Sequence, residues 1–231
     1  MVYLTAAIAA VPVVVLILLY REETPGPLKV LPFSAFWRSF VTFFTNRRLR
    51  ATALVDMATY FAFGAFETFL PLVLLSRGMG AYQTGVLFAA QTLIIAASKP
   101  SFGRIADRVD KRVQIVIGLL VLGVSVAAIP FAPGFSEFLL ISSFLALGMS
   151  LSTIATSAYV ADVAEDEQMG ASMGALSSIM DIGHSAGPLV TGIIVAGGGF
   201  GPGFFASFLL AAAVCGFFAL SVRDPAPQGS A

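Results

Sequence analysis

The sequence predicts an all-α integral membrane protein with seven transmembrane helices. Three observations carry this prediction. Apolar residues make up 58% of the 231 positions and charged ones only 11%, against about a quarter charged in a soluble domain. The apolar residues gather into stretches long enough to cross a bilayer, which takes about 20 residues each. The charges are confined to the segments between them, so a formal net charge of zero conceals a strong local asymmetry.

In chain order, spans are expected near 4–20, 52–76, 83–103, 113–131, 136–160, 169–196 and 203–222. Met1 to Tyr20 has no basic leader and no small-residue cleavage site, so it is expected to be a spanning helix, with a first unit at 1–22. Residues 23–50 form the one long connection. Its beginning carries Pro25, Pro27 and Pro32 and should be irregular. Phe33, Phe36, Trp37, Phe40 and Phe44 then recur on one helical face, followed at once by Arg47, Arg48 and Arg50. Such a helix is expected to lie on the cytoplasmic leaflet, with its aromatics in the interface and its arginines near anionic headgroups. A six-helix bundle at 51–223 and a cytoplasmic tail at 224–231 complete the division.

Orientation follows from the cations. With the first span entering from outside, Arg21, Lys29, Arg38, Arg47, Arg48, Arg50, Lys99, Arg104, Arg108, Lys111, Arg112 and Arg223 fall on the cytoplasmic side. The other side holds only Arg77. A bias of twelve against one sets the topology. The acids Asp162, Glu165, Asp166 and Glu167 then fall inside, which the rule permits because acids contribute little.

Ionisable and polar residues within spans mark a candidate pathway, because they are costly in hydrocarbon. Asp56, Tyr60, Glu67 and Pro71 fall on one stripe of the second span, with Glu67 about 16 Å along the helix from Asp56. In the sixth span Ser177, Asp181, His184 and Pro188 share a face. The fifth offers Ser152, Thr156 and Tyr159, and the third Gln91 and Ser98. The first, fourth and seventh spans carry no mid-span charge. Hydrogen bonding that merely ties helices together is the alternative role for Glu67 and Asp181. Cys215 is the single cysteine, so the chain has no disulfide framework. No nucleotide-binding loop, metal-ligand cluster or nucleophile constellation occurs, so neither an enzyme, a cofactor, a metal site nor a nucleic-acid partner is expected.

The loop between the third and fourth spans reads Gly103-Arg104-Ile105-Ala106-Asp107-Arg108-Val109-Asp110-Lys111-Arg112. Gly103 is expected to end one helix where two backbones come close, and Asp107 with Arg108 to cap and bridge helix ends. This pattern resembles the signature loop of the major facilitator superfamily of secondary transporters, which joins the second and third helices of each six-helix half. Asp110 stands where the family usually has glycine. The resemblance implies that the chain comprises the last helix of a first half, the linker and a complete second half, with five earlier helices of the family pattern not represented. It also implies that the four polar-striped spans line the cavity and the other three are peripheral.

Within the sixth span Gly174, Gly183, Gly187, Pro188 and Gly192 resemble the antiporter motif of drug-efflux members, with Thr191 in place of the first of two closing glycines. Gly183 and Gly187 form a small-xxx-small ridge for close helix packing, and Pro188 should bend the helix. The expected function is therefore transport of a small solute by alternating access in the cell membrane, with proton-coupled, multidrug-like efflux as the foremost case. Coupling requires a carboxyl that is neutral in one state and charged in another. Glu67 is the preferred candidate and Asp181, with His184 three residues on, the rival. Expected partners are membrane lipids, a small-molecule substrate, and either the missing half or a second copy. A non-transporting scaffold or assembly subunit is the alternative. A retinal protein is excluded, since 203–222 contains no lysine to hold a chromophore.

The charge asymmetry makes a direct prediction. Cysteines introduced at Gly80 or Gly134 should react with an impermeant thiol reagent from outside intact cells, and one at Asp110 only from inside. Reversed labelling would overturn the orientation.

Overall fold

The computed structural model describes residues 43–164 and 169–222, together with Val11, Pro12, Val15 and Val41. Most of the helix expected over 1–22, most of the 23–50 connection, the acids at 165–167 and the tail at 224–231 lie outside the described residues. The chain divides into two compact units, Met1–Ala35 and Phe36–Ala231. The second contains six long helices: α1 (Arg47–Ser76), α2 (Ala81–Ala106), α3 (Lys111–Ala128), α4 (Phe135–Val163), α5 (Met169–Gly198) and α6 (Phe200–Ser221). A 3-10 turn, Ile129–Phe131, extends α3. All six are long and apolar enough to cross a membrane, and every described element is helical.

The helices outrun the predicted spans mainly at their charged ends. α1 starts at Arg47 because the Asn46 side chain accepts from the Arg48 and Leu49 amides at 2.9 and 3.4 Å. A hydropathy window stops at the first charges, whereas the backbone ladder stops at a cap. Hence Arg47, Arg48, Arg50, Arg104, Lys111 and Arg112 are helical residues. At 30 residues α1 is about 45 Å long, more than the hydrocarbon core requires.

The far end of α1 closes on Gly78, whose φ of +77° is the left-handed conformation that favours glycine. Gly78 N donates to Leu75 O at 3.0 Å and Met79 N to Leu74 O at 2.9 Å, satisfying the last carbonyls. Arg77 donates to the carbonyls of Pro130 and Ala132 at 2.8 and 3.2 Å. It thereby clamps the α1–α2 turn onto the α3–α4 turn.

α1 is the central helix and touches all five others. Its buried positions are mostly small or aromatic: Ala51, Ala53, Ala58, Ala62, Gly64 and Ala65, then Phe66 and Phe69. α5 and α6 pack on it most extensively; α3 pairs with α4 and α6, and α2 leans chiefly on α4. One cluster, including Phe66, Leu70, Leu122, Phe138 and Phe204, fills the half nearer the α1–α2 turn. A second, including Val55, Ile115, Leu119, Val214 and Phe218, fills the half nearer the α2–α3 loop. Phe43 is 1% exposed and packs with Leu49, Val160 and Leu176, and Phe44 packs against the same cluster. The end of the aromatic segment is therefore tied to the bundle by Phe43, which lies off the predicted stripe.

Two crossings bring backbones into contact. On α5, a Cβ at Gly183 or Gly187 would collide with the carbonyl oxygens of Met57 or Phe61 of α1. Reciprocally, a Cβ at Gly64 of α1 would lie 2.5 Å from the His184 carbonyl. α3 and α4 cross in the same manner through Gly118 and Gly148, where added Cβ atoms would lie 2.6 Å from Ser152 N and 2.7 Å from Leu122 N. The predicted ridge on the sixth span is a true close contact; the Gly118–Gly148 crossing was not anticipated.

The α1–α5 contact yields a stability test with an internal control. Gly187→Ala should destabilise the purified protein by about 1–3 kcal/mol through overpacking. Gly174→Ala, where nothing lies within 4 Å, should leave it unchanged or slightly stabilised through helix propensity. Equal thermal midpoints for the two variants would contradict the described crossing.

Candidate functional site

The glycine crossing decides which polar groups meet. With α5 drawn against α1 at Gly183 and Gly187, the intervening His184 comes beside the next turn of α1. His184 Nε2 lies 3.4 Å from Glu67 Oε2, and the two side chains are 44% and 39% exposed. Aromatic rings surround the pair. The His184 ring centroid is 6.0 Å from that of Phe63, edge-on, and 6.4 Å from that of Tyr60. Phe63 in turn stacks on Phe66 at 6.3 Å. His184 sits at the middle of α5, and Glu67 about 8 Å beyond the middle of α1.

The pair lies on an open face. α2 buries only Leu87, Gln91 and Ala106, while Tyr82 and Leu93 are 80% and 69% exposed. α5 likewise exposes Ile182, Leu189, Val190 and Ile193. On α1 the partly exposed positions Met57, Tyr60, Phe63, Glu67 and Pro71 recur every three to four residues. They form a stripe between these two helices.

The polar residues expected along the pathway separate into two groups. Tyr60, Glu67, Asp181 and His184 reach the open face. Asp181 is exposed. Asp56 and Thr156, by contrast, are 4% and 0% exposed and face each other inside the α1–α4 seam, Thr156 Oγ1 donating to Asp56 Oδ1 at 2.7 Å. Asp56 thus departs from the stripe it shares with Glu67 on a helical wheel. Gln91 is 3% exposed on the buried side of α2, and its amide nitrogen finds no acceptor among the described residues. His184, expected to assist Asp181, faces Glu67 instead.

Sequence reasoning missed Thr59 and Ser150. Thr59 Oγ1 and Ser152 Oγ lie 3.2 Å apart, and Ser98 donates to Ser150 at 2.9 Å. The signal was the run Gly148, Ser152, Thr156 at every fourth residue of α4, the spacing of a small polar ridge.

The signature loop joins α2 to α3. The Asp110 carboxylate accepts from the Arg112 amide at 2.8 Å and so caps α3. This explains an aspartate where the loop pattern has glycine. Buried Gln114 folds the loop back by donating to Val109 O at 3.0 Å. Lys111 bridges to Asp162 at the end of α4, while Asp107, expected with Arg108 to cap and bridge helix ends, is the C-cap residue of α2, its amide donating to Gly103 O at 3.2 Å. Gly103 is not a close approach: α2 runs past it to Ala106, and an added Cβ would meet nothing within 4 Å. Of the antiporter-like residues, Gly183, Gly187 and Pro188 build the α1–α5 contact, with the Pro188 ring 3.2 Å from a Cβ added at Gly64. Gly192 would make only an ordinary contact with Phe69, at 3.4 Å, and Gly174 none.

Comparison with known proteins agrees with this architecture. Multidrug resistance protein MdtG of Yersinia enterocolitica is 28% identical over 165 residues, 69% of this chain and 40% of that protein. Quinolone resistance protein NorA of Staphylococcus aureus is 31% identical over 127 residues, 54% of this chain and 32% of that protein. An uncharacterized MFS-type transporter of Methanocaldococcus jannaschii is 24% identical over 152 residues, 66% and 39% of the two chains. The chain therefore spans about two-fifths or less of the curated relatives it matches. Residues 1–143 and, overlapping them, 54–231 match the family model of the Major Facilitator Superfamily. With the match extending over the whole sequence and the six-helix bundle in place, this multi-pass membrane protein belongs to the Major Facilitator Superfamily.

Proposed function

We propose that this chain is the C-terminal portion of a transporter that exports small amphipathic solutes by alternating access, driven by protons. The observation that carries the reading is the Glu67–His184 pair, part-exposed on a largely apolar and aromatic face. A group in that position exchanges its partner between states: Glu67 holds either His184 or a proton, and the two choices leave different net charge on the face. Aromatic neighbours Tyr60 and Phe63 suit flat, apolar or cationic solutes. The similarity to proteins named for multidrug and quinolone resistance supports the same class.

The open face of α1, α2 and α5 needs a covering partner, because Glu67, Asp181 and His184 are costly against lipid. Either the first half of the family pattern or a second copy supplies it, and the substrate path then runs between the two. In this reading residues 1–22 span the membrane, 23–50 link the halves on the cytoplasmic side, and 51–223 form the moving bundle. The tail at 224–231 is cytoplasmic, and the protein resides in the cell membrane. The Lys111–Asp162 bridge, which joins the α3 start to the α4 end, would hold one arrangement of the cytoplasmic side.

Two expectations test the reading. In the assembled transporter in proteoliposomes, Glu67→Gln should abolish substrate movement driven by a pH gradient while substrate counterflow persists. Asp181→Asn is the control for the rival carboxyl. Unaltered pH-driven transport in both variants would remove proton coupling from this bundle. Separately, the chain reconstituted as an isolated monomer should move no substrate, since one bundle encloses no path.

A further inference from the structure

The α1–α4 seam holds a group of buried oxygens that the coupling reading does not use. Asp56 and Thr59 of α1 face Ser152 and Thr156 of α4, and all four are 4% exposed or less. Thr156 Oγ1 lies 2.7 Å from Asp56 Oδ1, and Thr59 Oγ1 lies 3.2 Å from Ser152 Oγ. The two pairs therefore stack along the seam about one turn apart. From Asp56 to Thr59 the helix rises about 4.5 Å, and from Ser152 to Thr156 about 6 Å. Four buried oxygens from two facing helices are thus gathered within about one helical turn.

Charge makes the second argument. Among the described residues the Thr156 hydroxyl is the one hydrogen-bond partner of Asp56, and no Lys, Arg or His pairs with it. An ionised carboxylate inside a membrane protein needs a positive counterpart. A single carboxylate with three hydroxyls suits one positive charge and an oxygen-preferring ion. Divalent calcium draws on more carboxylates, and magnesium keeps its waters. Soft metals want sulfur or nitrogen, and no group of three His, Cys, Asp or Glu side chains occurs among the described residues.

We infer that Asp56, Thr59, Ser152 and Thr156 bind one dehydrated sodium ion, which ties α1 to α4. The site is about 16 Å along α1 from Glu67, and it stands whether or not Glu67 couples protons. Binding is measurable without transport. The full chain in detergent, at fixed pH and ionic strength, is titrated with sodium against potassium or choline while thermal unfolding is followed. Equilibrium binding of radioactive sodium gives the stoichiometry.

Sodium, but not potassium or choline, should raise the midpoint saturably, with one ion bound per chain, and Asp56→Asn should lose both effects. Should that variant fail to fold, Ser152→Ala retains the charge and is expected to raise the half-saturating sodium concentration by about tenfold through loss of one ligand. The inference is overturned if wild type shows no sodium dependence, or if Asp56→Asn or Ser152→Ala responds as wild type does. It is also overturned if acid in sodium-free buffer stabilises wild type but not Asp56→Asn while sodium does nothing, for the occupant is then a proton.

Discussion

The backbone contact between α1 and α5 is the constraint from which the functional face follows. In a bilayer, apolar side chains gain little by leaving lipid for protein, so helices associate where backbones approach and dispersion and dipolar contacts are dense. Gly183 and Gly187 remove the side chains that would hold α5 away from the Met57 and Phe61 carbonyls. Gly64 removes the reciprocal obstacle on α1. A wider spacing would carry His184 beyond reach of Glu67. The glycines and the charged pair are therefore one device, in which small residues set the distance and polar residues use it.

α1 has two chemical sides because of where it sits. Its inward side meets α4 through hydroxyls and one carboxylate, giving the Thr59–Ser152 and Asp56–Thr156 contacts. Its outward side carries the aromatic and ionisable stripe between α2 and α5. The inner contacts are buried and hydrogen-bonded, which suits a fixed seam. The outer pair is half-exposed at 3.4 Å, which suits partners that separate and rejoin. At the ends, Arg77 on the Pro130 and Ala132 carbonyls and Lys111 with Asp162 join segments that hydropathy leaves unconnected.

Much was legible from the chain alone. Six of the expected spans became helices, since roughly twenty apolar residues bounded by charges leave little else for a membrane segment to do. The Gly183–Gly187 spacing announced a close crossing, and the stripe of Tyr60, Glu67 and Pro71 announced an uncovered face. The boundaries were drawn short because caps such as Asn46 and Asp110 lie outside the apolar windows. Gly103 was misjudged because a glycine near a loop signals freedom of approach, and only a neighbouring helix can make use of it.

The sequence by itself determined that the chain crosses the membrane repeatedly, which end of each helix is basic, and which helices carry polar stripes. Those properties are local: they depend on composition over a turn or a span. Tertiary structure decided the partners. On a helical wheel Asp56 and Glu67 share a stripe, yet α4 covers the first and the second stays open beside α5. His184 is near Asp181 in sequence and pairs with Glu67 in space. Periodicity names the face a side chain occupies, but the helix that arrives there is set by packing across the whole bundle.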